Sequence, residues 1–251
     1  MAGILRVDQI QSTAGANVID VSSGSFKIWN GSSYQNFTVS GALLSINTYT
    51  SQNGTWNSKS TSGGSGVWSK PSGCNHVLVY VTGGGGGARI NDNQYRGAGG
   101  GGGATAIRYI DVSNVSSVNY TYGGGGGYAR NGGRGGTGGT SSFGSYVTAT
   151  GGQGGYSDNP YQGGPGGNAS GGDINIPGGG GEMSHGTNRE GGGGGSFWHQ
   201  SGSSHHYANN QEEISHGQWG SGGGYGYYSQ NSFAYNNCNG GAGCVIVYNY
   251  T

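Results

Sequence analysis

His76-Val77-Leu78-Val79-Tyr80-Val81-Thr82-Gly83-Gly84-Gly85-Gly86-Gly87 is a β-branched run that passes directly into five glycines. Its counterpart stands near the other end of the chain, where Gly241-Ala242-Gly243 leads into Cys244-Val245-Ile246-Val247-Tyr248-Asn249-Tyr250. Val, Ile and Tyr suit a half-buried pleat, so both stretches read as strands. Matching strands at the two ends of a segment commonly pair and close it into one domain. What these two enclose is mostly glycine. The chain holds 63 glycines in 251 residues, about a quarter where roughly 7% is usual. Ten of them fall in residues 1–82 and the other 53 in residues 83–251.

The glycine has a pattern. Runs stand at Gly83–Gly87, Gly99–Gly103, Gly123–Gly127, Gly178–Gly181, Gly191–Gly195 and Gly222–Gly224. Three further stretches repeat two glycines and one other residue: Gly132-Gly133-Arg134-Gly135-Gly136-Thr137-Gly138-Gly139-Thr140, Gly151-Gly152-Gln153-Gly154-Gly155-Tyr156 and Gly163-Gly164-Pro165-Gly166-Gly167-Asn168. An extended helix with three residues per turn puts every third side chain on one edge. Two glycine edges then face neighbouring backbones, and Cα–H···O and N–H···O contacts fill the gap. The third edge, carrying Arg134, Thr137, Gln153 or Tyr156, faces outward. Glycine loses more backbone entropy on folding than any other residue. Dense mutual hydrogen bonding and anchoring by the bracketing strands are what can offset that loss.

The expected fold is therefore mostly β and irregular, with little or no α-helix. Residues 1–66 read as short β segments and a Ser/Thr/Asn-rich connector that attaches or oligomerises. Residues 67–251 read as a domain of packed polyglycine II helices bracketed by β-strands. Between the brackets, Ala104–Ile110 and Ser117–Tyr122 look like the arms of a hairpin around 111–116, and Ser145–Thr150 like one more strand. The three cysteines, Cys74, Cys238 and Cys244, allow at most one bridge and otherwise stay reduced.

Composition excludes several functions. Ten Lys+Arg balance ten Asp+Glu, so no positive field exists to neutralise nucleic-acid phosphates. No run of about eighteen apolar residues is present to span a membrane. Met1–Arg6 leads into polar sequence and not into the apolar core of a signal peptide. Eighteen Tyr, five Trp and five Phe are too many aromatics for a solvating linker. No enzyme signature survives inspection. His199, His205, His206 and His216 with Glu212 and Glu213 match no zinc spacing. No nucleophile elbow is present. Asp158, Asp173, Glu182 and Glu190 offer no preferred glycosidase pair. No catalytic residue, metal or cofactor is expected.

The information lies in the inserts between glycine runs. They carry Tyr, Trp, Ser, Asn, His and Gly, the alphabet of adaptable paratopes and of stacking on sugar rings. The residues singled out for binding are Tyr95, Tyr161, His185, Trp198, His199, His206, Tyr207 and Trp219. Any one of these aromatics could equally belong to a small core beneath the loops.

Two stretches carry a family resemblance. Met1-Ala2-Gly3-Ile4-Leu5-Arg6-Val7-Asp8-Gln9-Ile10-Gln11-Ser12, continuing to Val18-Ile19-Asp20, resembles the N-terminus of fibre-like virion proteins of aquatic and cyanobacterial phages. Val67-Trp68-Ser69-Lys70-Pro71-Ser72-Gly73, the strand and glycine run after it, and Gly243–Tyr248 are similar to the glycine-rich domain at the ends of bacteriophage tail fibres. The resemblance implies a sandwich of polyglycine II helices with receptor-binding loops between them. It implies a virion location, contact with other tail proteins, and commonly a homotrimer. The expected function is adhesion to a host surface polysaccharide or outer-membrane protein, without membrane insertion. The alternative is a structural virion or self-assembling fibril protein that binds no ligand.

Overall fold

The computed structural model describes residues 9–11, 17–20, 27–29, 34–36, 41–52, 61–91, 96–130, 133–156, 162–183, 191–200, 217–224 and 238–251. The chain divides into two compact units, Met1–Ala42 with Thr251, and Leu43–Tyr250. The first contains an antiparallel sheet of four short strands in sequence order: β1 (Gln9–Gln11), β2 (Asn17–Asp20), β3 (Lys27–Trp29) and β4 (Tyr34–Asn36). No α-helix occurs among the described residues, and no helix is long and apolar enough to cross a membrane.

The second unit is a β-sandwich continued by a glycine bundle. One sheet has the order β16 (Ile174–Ile176), β10 (Thr105–Asp111), β7 (His76–Thr82), β17 (Cys244–Tyr250), β5 (Leu43–Tyr49). The bracketing strands do pair, antiparallel, with Cys244 opposite Thr82 and Tyr250 opposite His76. The other sheet has the order β15 (Ala169–Ser170), β14 (Val147–Ala149), β13 (Ser141–Phe143), β11 (Ser117–Tyr122), β6 (Gly64–Ser69). The expected hairpin of residues 104–122 is not formed. β10 pairs with β7 and β11 with β6, so the 112–116 turn crosses from one sheet to the other. Both arms have an inward apolar face, and opposing them across the sandwich buries both at once. The connector segment also supplies β5, which lies against the closing strand.

The core between the sheets contains Val77, Val79, Val81, Val245 and Val247 from one side and Trp68, Val118, Phe143 and Val147 from the other. Trp68 is fully buried, edge-on to Phe143 at 5.8 Å, and donates its indole N–H to Asn249 Oδ1 at 3.1 Å. The Asn249 amide nitrogen donates to Ser45 Oγ at 2.9 Å and Asn47 Oδ1 at 2.8 Å. A buried amide is tolerable only with partners of this kind. On the outward face of the first sheet, Tyr109, Leu78, Tyr248 and Ile46 stand side by side in one row. Ile174, Ile107, Tyr80 and Ile246 stand in the next.

Strands run straight into glycine. Run I (83–87) continues β7, run III (123–127) β11, run V (151–155) β14 and run VII (178–182) β16. Run II (99–103) leads into β10, run IV (133–139) into β13, run VI (163–167) into β15 and run X (238–243) into β17. Runs VIII (191–195) and IX (220–224) have no strand of their own. Successive amides of run I bond different neighbours: Gly84 N–H to Gly139 O, Gly85 to Gly241, Gly86 to Gly101, and Gly87 back to Gly136. That return after three residues is the geometry of a polyglycine II helix.

The bonds define a hexagonal lattice. Run I donates to IV, X and II, and accepts from III, V and IX. Run II donates to VII, IX and V, and accepts from I, VI and VIII. Two adjacent centres with six neighbours each require ten members, which is the number of runs among the described residues. They form three layers: IV-V-VI, then III-I-II-VII, then X-IX-VIII. The layer position explains the sequence code. A Cβ on Gly84 would fall on Gly124 O, on Gly86 on Gln153 O, and on Gly101 on Pro165 O. Runs I and II are therefore uninterrupted glycine. The triplet repeats make up the outer layer IV-V-VI, and their third residues Arg134, Thr137, Gln153, Pro165 and Asn168 are exposed, as the spacing requires.

Candidate binding surface

The lattice fixes where the inserts emerge. Runs I, III, V and VII leave the sandwich and II, IV, VI and X return to it. Run VIII descends antiparallel to VII, and run IX rises antiparallel to II. Five connections, I–II, III–IV, V–VI, VII–VIII and IX–X, consequently open at the apical end, away from the sheets. The sixth, VIII–IX, opens at the sandwich end.

At the apical end a small sheet joins β12 (Ala129–Arg130), β8 (Arg89–Asn91) and β9 (Arg96–Ala98). Ala88 and Ile90 are buried there with Cys238, and half-buried Tyr128 packs on them. Tyr128 N–H donates to Asn239 Oδ1 at 2.8 Å, tying the III–IV connection to run X. The Arg134 guanidinium lies 4.7 Å from the centre of the Tyr156 ring, a cation–π pair across the outer layer. Backbone bridges join Ala98 to Met183 and Tyr156 to Gln162. The pair Arg134–Tyr156 was readable in principle, because Thr137–Gln153 and Arg134–Tyr156 share one antiparallel register. Tyr95, Tyr161 and His185 lie outside the described residues. The residues that flank them, Asn91 and Arg96, Tyr156 and Gln162, and Met183 and Gly191, all stand at the apical end.

The sandwich end holds the other described candidates. Trp198 is half-buried, its ring 5.3 Å from Tyr80 and edge-on to Phe197 at 4.9 Å. Its indole N–H donates to Thr82 Oγ1 at 2.9 Å, and Thr82 pairs with Thr105 Oγ1 at 2.8 Å. Ser196 Oγ donates to Trp219 O at 2.7 Å and lies 3.2 Å from His199 N. Trp219 has φ +47°, a left-handed conformation unusual for a large residue. Its N–H donates to Gln52 Oε1 at 3.3 Å. His199 Nδ1 sits 2.6 Å from Gln200 O. His199 and Trp219 are thus brought together through Ser196, and Trp198 beside them is anchored on β7, so the described ends of the VIII–IX connection meet at the sandwich end. His206 and Tyr207 lie outside the described residues. The anchoring partners Tyr80, Thr82, Ser196 and Gln52 carried no sequence signal, since nothing local distinguishes them.

Ten polyglycine II helices seated on a β-sandwich are a fold that only a glycine-rich sequence can build. The chain belongs to the glycine-rich domain family. The match covers residues 58–211, from just before β6 through runs I to VIII and into the VIII–IX connection. Among curated proteins, none matches the chain.

The three cysteines are free and buried. Burial pushes the thiols of Cys238 and Cys244 up to about 12; at Cys244, hydrogen bonds from Thr82 and Trp198 offset part of this. Both thiols stay neutral in the fold where an unfolded thiol would ionise. The folded state holds more protons above the ordinary thiol value of 9, so stability falls as pH rises from there toward 12. Denaturant midpoints measured at pH 7.5 and 10 should show the decline. Below pH 9 neither thiol should react with a disulfide reagent until the chain unfolds.

Proposed function

We propose that the chain is a bacteriophage tail-fibre adhesin whose apical end recognises a surface polysaccharide or outer-membrane protein of the host. The observation that carries this reading is that the glycine runs flanking five inserts bring the described ends of all five to one end of the lattice. A rigid scaffold that holds several aromatic and polar loops side by side suits recognition by stacking and hydrogen bonding. The resemblance of residues 1–20 and of the glycine domain to phage fibres supports a place on the virion, next to other tail proteins and as a homotrimer. Several fibres on one particle would multiply a weak single contact.

The test is binding of fluorescently labelled protein to a panel of cyanobacterial and other aquatic bacterial strains. A bound strain is then challenged with the triple variant Tyr95→Ala, Tyr161→Ala, His185→Ala, and separately with Trp198→Ala. The apical variant should lose binding by at least about tenfold, the scale of a 1.4 kcal/mol contact. Binding that survives the apical change but fails with a still-folded Trp198→Ala would move recognition to the sandwich end. Failure to bind any strain or its envelope fraction favours the structural alternative.

A further inference from the structure

The outward face of the second sheet carries a hollow that neither the lattice nor the core uses. Its volume is about 570 Å³, inside the range of about 300–1,000 Å³ in which small-molecule sites fall. Its lining includes Ser65 and Val67 from β6, Asn119 and Thr121 from β11, Ser142 from β13 and Gly144 from the turn after it. The pleat explains the set: Ser65, Val67, Asn119 and Thr121 are exposed, while Trp68 and Val118 on the same two strands point into the core. The frame is held by paired backbone. β6 and β11 pair over six residues, and the Gly144 amide donates to Asn119 O at 2.7 Å. Gly144 has φ +52°, and an added Cβ would stand 2.9 Å from Val118 Cγ1, so this turn requires glycine.

The chemistry of the lining selects the occupant. No charged side chain lines the hollow, so an ionic ligand would give up hydration there without a counter-charge. Val67 is the one aliphatic side chain, too little for a lipid or an apolar peptide anchor. What the hollow offers is hydroxyl and amide groups. Thr121 Oγ1 and Ser142 Oγ lie 2.6 Å apart. One of them donates to the other, and the accepting hydroxyl keeps its own hydrogen for a ligand. Among the described residues the Ser65 hydroxyl and the Asn119 amide have no protein partner. Mixed donors and acceptors beside one aliphatic contact match a pyranose, which has hydroxyls on its rim and an apolar C–H face. The register extends the site, because Ser65, Thr121, Ser142, Thr148 and Ser170 stand opposite one another across all five strands. One hydroxyl per strand, every 4.8 Å or so, is a step comparable to one sugar of an extended chain. We propose that the hollow, with the hydroxyl row leading from it, binds a neutral polysaccharide laid across the strands of the second sheet. This is a second binding site, on the flank of the sandwich and separate from the apical inserts. Hydrogen bonds exchanged with water contribute little net affinity each, so the expected dissociation constant is on the order of 1 mM.

The experiment is an amide NMR titration of the isotope-labelled full chain with neutral hexamers of glucose, mannose, galactose and N-acetylglucosamine. Each is taken to about 10 mM, well above the expected constant, with a galacturonic acid hexamer as the charged control. At least one neutral hexamer should shift the amides of Val67, Asn119, Thr121 and Ser142. The double variant Asn119→Ala, Thr121→Val should keep the wild-type melting curve, since both side chains are exposed. It should weaken binding of that hexamer by about tenfold. Thr148→Val, further along the row, should weaken it about two- to threefold, the scale of one hydrogen bond made in competition with water. The variant Tyr95→Ala, Tyr161→Ala, His185→Ala should bind the hexamer as the wild type does. The absence of shifts at these amides with every neutral hexamer overturns the proposal. So does binding that is lost in the apical variant and kept in the folded double variant, which would leave the apical end as the glycan site. Equal binding of the galacturonic acid hexamer overturns the assignment of a neutral ligand. Cell binding is a separate readout: the apical inserts can fail to bind any strain while these amides still respond, and the reverse.

Discussion

Gly86→Ala is expected to destabilise the domain by about 3 kcal/mol or more, while Gly180→Ala leaves it folded. Gly86 sits in run I, and its added Cβ would fall on Gln153 O with Gly152 O close behind. Both oxygens belong to run V. Gln153 O also accepts the Gly101 amide, so moving it disturbs run II as well. Overpacking typically costs about 1–3 kcal/mol, occasionally more. Here the colliding atoms are backbone in a bonded lattice and no side chain can swing aside, so the upper end or beyond is expected. At roughly 2–4 °C per kcal/mol for a chain of this size, the midpoint should fall by about 6–12 °C. At Gly180 the nearest atom to a new Cβ is Gly164 O at 3.9 Å. Alanine there removes entropy from the unfolded chain and should stabilise by about 0.4–1 kcal/mol. Thermal unfolding of the two variants decides the matter. Equal effects would mean that close approach is not what fixes glycine in the inner layer.

The second large effect is expected at Trp68. Trp68→Ala empties a fully buried site beneath Phe143, and such changes cost about 3–5 kcal/mol. It also removes the donor that Asn249 Oδ1 accepts from, and an orphaned buried acceptor costs a further 1–3 kcal/mol or so. Trp68→Phe keeps most of the volume and loses only the hydrogen bond, so it should fall between Trp68→Ala and the wild type. Urea midpoints for the three proteins check the order. A Trp68→Ala midpoint close to wild type would mean that the lattice, and not the sandwich, supplies most of the stability.

Much of this architecture was legible in the sequence, for stated reasons. The bracketing strands could be read because Val77, Val79, Val81 and Val245, Val247 alternate or cluster as a buried sheet demands. The three-residue period of Arg134-Gly-Gly-Thr137 could be read because side chains are allowed on only one edge of an outer-layer helix. The hairpin expected at 104–122 failed because sequence spacing shows that two strands are joined by a turn but not which sheet each enters. The layer order was hidden for a similar reason: amide partners such as Gly85 and Gly241 lie far apart in the chain and both are glycine. The candidate site was legible mainly as composition. Trp198 looked like a binding aromatic, but only the fold places Thr82 and Tyr80 beneath it. Tyr95, Tyr161 and His185 were chosen as insert residues, and the lattice sends their flanks to one common end.

The hexagonal packing of runs I–X also sets how the protein responds to temperature. Unfolding a conventional core exposes hydrocarbon to water and raises the heat capacity, whereas exposing peptide groups lowers it. A large share of what this domain buries is peptide. Its heat-capacity increment per residue should therefore lie below the usual figure of about 12–15 cal/mol/K, and its free-energy curve should be correspondingly shallow. A shallow curve holds its height over a wide range, so such a domain keeps its working shape in cold water and warm alike.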